Sequence, residues 1–119
     1  MKLKKTVKVS EKIIQKQIVT WLNLQPGCHV FSVRNGATFD PVRKVFRRGT
    51  ATKGIPDVCG SWKGVGIFIE VKSASGVVSV DQSVMLARLS RAGAIAFVAR
   101  SLSDVVNRVK IDHVNMEMT

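Results

Sequence analysis

The chain predicts an α/β domain built on a mixed four-stranded sheet flanked by helices, in the order helix, three strands, helix, strand, helix. Three observations carry that expectation. Ile67 to Lys72 alternates with the period of a strand, so Ile67, Ile69 and Val71 share one face and Phe68, Glu70 and Lys72 the other. Ala94 to Ala99 is a short, wholly apolar run, as a strand covered on both faces requires. Between them, Ser79 with Gln82 three residues on forms the signature of a capping box and opens a helix. A strand, helix and strand in succession make a crossover, which sets the two strands parallel and starts the helix near the carboxyl end of the first.

The remaining elements follow in order. Ser10 is a helix N-cap and Gly27, after Pro26, a stop; between them Ile13, Ile14, Ile18, Trp21 and Leu22 make one apolar stripe. Cys28 to Arg34 reads as a strand, and residues 36 to 53 as a long basic loop carrying Arg43, Lys44, Arg47, Arg48 and Lys53. Asp57 begins the next strand, and Lys63 to Gly66 is a turn tight enough to pair that strand with Ile67 to Lys72 as a hairpin. The helix from Ser79 ends before Gly93, and a last helix starts near Ser103 and fades after Asp112.

At 119 residues this is a single domain, 1–119, with a core of about 10–101, a basic arm at 1–9 and a C-terminal helix and tail at 102–119. Apolar residues make up 45% of it, which excludes a disordered chain, and no stretch reaches transmembrane length. A net charge of +11 and a pI near 10.4 point to a polyanionic partner, nucleic acid before membrane. The amino end has lysines but no apolar core of a signal peptide, so a cytoplasmic location is expected. Cys28 and Cys59 match neither a disulfide framework nor a metal-ligand spacing and read as small hydrophobes; His29 and His113 are isolated.

The chemistry gathers in residues 54 to 72, GIPDVCGSWKGVGIFIEVK. A carboxylate and an ammonium on a buried strand face are costly unless each has a partner, and a divalent ion in a water-filled cleft supplies one. The hairpin brings the carboxylates of Asp57 and Glu70 together at the carboxyl end of a strand, where open α/β sheets place their ligand sites. Gln82 is in register with Met85, Leu86 and Leu89, and Glu11 with Ile14, Ile18 and Leu22, so both can reach the edge of the same cleft. Their ordinary roles are a capping-box partner and a first-turn acid.

Pro56-Asp57, twelve intervening residues and Glu70-Val71-Lys72 match the PD-(D/E)xK nuclease signature. With the element order, the helix glutamate, the helix glutamine and Gly54 before the acid, the chain resembles the VRR-NUC family over roughly residues 10 to 101; Arg34-Asn35-Gly36 and the basic loop resemble small stand-alone, phage-encoded members. The resemblance implies a PD-(D/E)xK core in which Asp57 and Glu70 hold a metal, with the backbone carbonyl of Val71 a third ligand. Lys72 would orient the attacking water and stabilise the transition state, Glu11 would hold the metal or its water, and Gln82 would position Lys72 or a water. Of the eight acids, Asp40, Asp81, Asp104, Asp112 and Glu117 fall in a loop, at helix starts or in the tail, which leaves Glu11, Asp57 and Glu70 to converge.

The implied activity is Mg²⁺-dependent hydrolysis of DNA, with Mn²⁺ as a substitute, leaving 5′-phosphate and 3′-hydroxyl ends. Arg34, Arg43, Lys44, Arg47, Arg48 and Lys53, with Lys2, Lys4, Lys5 and Lys8, are the candidates for contact with the phosphate backbone. Like the stand-alone members, the chain is expected to form a homodimer that cuts branched DNA such as four-way junctions, with Val77, Val78, Val105, Val106 and Val109 as surplus apolar residues for the interface. Two alternatives stand beside this: a basic nucleic-acid-binding module without catalysis, and a sequence-specific restriction-type endonuclease.

Overall fold

The computed structural model describes residues 9–33, 38–47 and 52–118. Helix α1 (Glu11–Asn23) is capped by the Ser10 side chain, which accepts from the Ile13 amide, and buries Ile14, Ile18 and Leu22. Its last residue turns the chain into β1 (Cys28–Ser32): the Asn23 side chain accepts from Val30 N at 2.8 Å and donates to Val30 O at 3.1 Å, giving this edge strand partners for both backbone groups there. Strands β4 (Val58–Trp62) and β5 (Val65–Val71) form the expected hairpin. Lys63 and Gly64, at φ 48° and 83°, both take left-handed backbone, the conformation a two-residue hairpin turn demands. Helix α2 (Val80–Arg91) crosses to β6 (Ile95–Ala99), which pairs with β5 in parallel, and α3 (Leu102–Met118) closes the described chain.

Two elements depart from the sequence reading. The segment from 36 to 53 is not all loop: β2 (Thr38–Asp40) and β3 (Val45–Arg47) pair antiparallel as a separate two-stranded sheet. Each strand is three residues long, too short for an alternation to register, and the signal lay in the paired Phe39 and Phe46. Helix α3 runs past Asp112 to Met118, because Val114, Met116 and Met118 follow without a glycine or proline to stop it.

The main sheet has the order β1-β4-β5-β6, antiparallel except for the last pair. Strand β5 is therefore interior and covered on both faces. On one, Ile67, Ile69 and Val71 join Val30, Val58, Ile95, Phe97 and Ala99 against Ile14, Ile18 and Leu22 of α1 and Val105 and Val109 of α3. Each fully buried aliphatic side chain there contributes about 1.5–3 kcal/mol. On the other lie Phe68, Glu70 and α2. No helix among the described residues is long and apolar enough to cross a membrane.

This packing corrects one expectation. Val105 and Val109 are buried in the protomer's own core, so they are not surplus surface for a second copy. Val106 and Val78 are half-buried, and Val77 is 83% exposed.

Candidate active site

The site grows out of the β4–β5 register. Val58 faces Ile69 and Cys59 faces Phe68, so continuing the ladder by one residue sets Asp57, just before β4, directly opposite Glu70. The two carboxylates therefore meet as a cross-strand pair on the face away from the aliphatic core. Asp57 is anchored from the backbone, its Oδ2 accepting from Val71 N at 2.9 Å.

Glu70 is 2% exposed, the one buried charged residue of the described chain. Its Oε1 accepts from Gln82 Nε2 at 2.9 Å and lies 3.5 Å from Lys72 Nζ. Its Oε2 is buried and has no hydrogen-bond partner. Burial first, and then the negative charge of Asp57, pushes the Glu70 acid up to about 7, against a smaller downward pull from Lys72. Two facing carboxylates, one of them desolvated and with an unpartnered buried oxygen, form an all-oxygen donor set. That is the chemistry of a hard divalent cation site, so the residues present fit a metal such as Mg²⁺.

Gln82 performs both roles open to it. Its backbone N donates to Ser79 Oγ and its Oε1 accepts from Ser79 N, completing the capping box of α2, while its Nε2 holds Glu70. A side-chain amide has a donor end and an acceptor end, so cap and site are served at once. Its partner is Glu70, whereas the resemblance assigned it Lys72 or a water.

Glu11 reaches the same end of the sheet without joining the pair. Its Oε1 accepts from Ser73 N at 3.3 Å, just beyond Lys72. Among the described residues no three His, Cys, Asp or Glu side chains are grouped to hold a metal, so the expected convergence of three acids is reduced to Asp57 and Glu70. The reason is the helix start: Glu11 is the first residue of α1, and the Ser73 amide is the unpaired donor it meets.

Gly54 positions the acid segment against α2. It has φ 77°, and a β-carbon there would lie 2.3 Å from Asp81 O and 2.9 Å from Gln82 N. Gly54→Ala is expected to strain the backbone by about 1–3 kcal/mol and push the first turn of α2 outward, lowering the melting temperature and the activity that depends on Gln82. Thermal denaturation alongside a rate measurement checks both.

Of the basic candidates, Arg43 and Lys44 lie in the β2–β3 connection, Lys44 with φ 54°, and Lys53 in the turn before Gly54; all three are exposed. Arg47 belongs to β3. Arg34, Arg48, Lys2, Lys4, Lys5 and Lys8 lie outside the described residues. Cys59 is buried near Pro56 O, and burial and then the charge of Asp57 push its thiol up, as burial does for Cys28; both are free thiols of low reactivity.

One contributor escaped the sequence reading. Arg100 follows β6, and its Nη1 donates to Ser73 O and Gly76 O, each at 2.7 Å, and to Ala74 O at 3.4 Å, across the loop that leaves Lys72. The only signal was its place, one residue past the strand parallel to the one bearing Glu70.

A family model described as the VRR-NUC domain matches residues 9–102. A solved structure described as a VRR_NUC domain protein superposes with a TM-score of 0.62 at 18% identity, covering 88% of this chain and 88% of that one, a likeness of fold. No curated protein sequence matches. Because the family match takes in both helices and every strand that build the site, the chain belongs to the VRR-NUC domain family, and its function is of nuclease type.

Proposed function

We propose that the protein is a metal-dependent endodeoxyribonuclease whose active residues are Asp57, Glu70 and Lys72, with Gln82 and Glu11 in support. The observation that carries this is Glu70: a carboxylate 2% exposed, with an unpartnered buried oxygen, facing Asp57 and 3.5 Å from Lys72. Acids that merely balance the charge of a basic binding module gain nothing from such burial, since exposed ion pairs cost no desolvation. Asp57, Glu70 and the Val71 carbonyl would hold Mg²⁺ or Mn²⁺, with Glu11 at its water shell; the ion, when bound, supplies a Lewis acid and a water ionised near neutral pH.

The chain's own groups do the rest. Gln82 fixes the Glu70 rotamer through Oε1, which leaves Oε2 buried and without a partner. The Val71 amide fixes Asp57 in the same way. Lys72, 13% exposed at its side chain, keeps its ammonium in a largely dry setting, where it offsets negative charge developing on the phosphoryl oxygens more strongly than in water.

Branched DNA, such as a four-way junction, cut by a homodimer is the substrate and assembly that we favour. A two-fold dimer presents two clefts to a two-fold junction, and Val77 and Val80, 83% and 79% exposed beside the site, are apolar surface open to a second copy. Purified protein with Mg²⁺ or Mn²⁺, tested on labelled junction, flap, duplex and single-stranded DNA and sized by light scattering, decides the reading. Metal-dependent cleavage led by the junction is expected. A monomer that cuts linear duplex as readily leaves the generic nuclease, and no cleavage with either ion rejects the assignment.

DNA affinity is expected to fall steeply with salt, because each phosphate contact releases about one counterion. Replacing Arg47 and Arg48 together by glutamine should lower the slope of log affinity against log salt by about two. An unchanged slope would remove both from the phosphate contacts.

A further inference from the structure

We infer that Arg100 is a positioning residue of this site, acting through the Ser73–Gly76 loop on Lys72 and Glu11; the inference rests on the nuclease reading proposed above. The parallel register pairs Val71 with Ala99, and Lys72 N donates to Ala99 O at 3.0 Å, so Arg100 emerges from β6 beside the point where the chain leaves β5. From there one guanidinium nitrogen reaches three carbonyl groups of the loop, Ser73 and Gly76 at 2.7 Å and Ala74 at 3.4 Å. The loop belongs to neither strand nor helix, and its own backbone closes it at one point, Gly76 N donating to Ser73 O at 3.1 Å; the charged, rigid donor gathers the same turn's carbonyls from outside.

The clamp is itself held. Arg100 N donates to Asp104 Oδ2 at 2.8 Å, and Asp104 N donates to Ser101 Oγ at 3.3 Å, so the backbone that carries the guanidinium is tied to the first turn of α3. What it holds touches the site in two places. Ser73 N donates to Glu11 Oε1, and a β-carbon on Gly76 would lie 3.1 Å from that same oxygen and 3.3 Å from Lys72 Cδ. The loop backbone is thus the wall against which the Lys72 stem rests, and it also carries the donor that orients Glu11. A lysine side chain has four rotatable bonds, so its ammonium stays near Glu70 only while such a wall confines the stem. Arg100 needs no contact with DNA to matter; it sets the conformation that its neighbours require.

The test uses full-length Arg100→Ala, Gly76→Ala and the double variant, with Lys72→Ala as the inactive reference. Arg100 is exposed, so Arg100→Ala is expected to fold, and its thermal denaturation is recorded. In single-turnover cleavage of labelled DNA with Mg²⁺, Arg100→Ala should slow the chemical step about 10- to 100-fold, the range for residues that orient groups at a metal site, with KM changed less than about two-fold. Gly76→Ala, which crowds Lys72 and Glu11 from the same side, should give a similar loss, and the two should combine far less than additively. Independently of activity, the Ser73 and Gly76 amides should exchange hydrogen faster in Arg100→Ala than in the wild type, while amides of β5 do not. Wild-type cleavage by Arg100→Ala, while Lys72→Ala is inactive, overturns this inference and leaves the nuclease reading intact. So does a rate loss shared equally by KM, or full additivity with Gly76→Ala. Absence of cleavage by the wild-type protein overturns both together.

Discussion

Replacing Lys72 or Asp57 by alanine is expected to lower DNA cleavage about 10²- to 10³-fold or more, roughly 3–4 kcal/mol of transition-state stabilisation, while DNA binding without metal changes by no more than a few-fold. The two variants fail for different reasons. Lys72 is held 3.5 Å from Glu70 and supplies positive charge that is needed only as the phosphoryl group reacts. An interaction made in the transition state and not in the ground state appears in kcat and hardly in affinity. Asp57 faces Glu70 across the β4–β5 ladder and is aligned by the Val71 amide, so its loss removes half of the carboxylate pair. In the absence of metal, removing an acid from a basic protein can only favour its binding to a polyanion. Cleavage and binding assays on the same preparations check this, and wild-type cleavage by either variant would falsify the site.

The second large effect concerns stability. Glu70→Gln is expected to stabilise the metal-free protein at pH 8, on the order of 3 kcal/mol, while abolishing cleavage. The Glu70 acid is raised from 4.5 to about 7 in the folded protein, first by burial and then by Asp57. A carboxyl group raised on folding binds its proton more tightly in the native state. Its favourable contribution is complete below about pH 4.5 and is lost as pH climbs through 7. A neutral glutamine escapes that loss, can still accept from Gln82, and can donate to Asp57. The gain should therefore vanish below pH 4.5, grow between 5 and 7 and level off near 8. For a domain of this size it corresponds to a rise in Tm of about 10 °C or more at pH 8. Adding Mg²⁺ should stabilise the wild type and leave Glu70→Gln unmoved, since only the former presents two carboxylates. Thermal melts over pH 4 to 8, with Mg²⁺ and with chelator, read all of this; a variant less stable than the wild type at pH 8 would remove the strain assigned to Glu70. A residue that weakens the fold at working pH and yet stands at its centre is kept for chemistry.

Much of this was legible in the chain itself. The alternation from Ile67 to Val71, the apolar run at Ile95 to Ala99 and the capping box at Ser79 follow from side-chain periodicity and local hydrogen bonding, which act over a few residues. They were enough to predict the sheet and its parallel pair. The short β2–β3 hairpin and the length of α3 were not legible, because three-residue strands and a polar helix end leave little periodic trace. The Asp57 and Glu70 pairing could be anticipated from the hairpin, since register propagates along a ladder. What tertiary structure alone decided is how groups far apart in sequence divide the available partners. Glu11 could have completed a triad of acids, but the Ser73 amide, 62 residues away, claims its Oε1. Gln82 could have served Lys72, but its free end meets Glu70. Val105 and Val109 could have faced a second copy, but α1 left room for them in the core. Arg100 carried no motif, and its part arises solely because parallel strands end side by side. Local chemistry specifies which groups a residue can satisfy; only the packed chain, in which buried donors and acceptors must all find partners together, determines which of them it does.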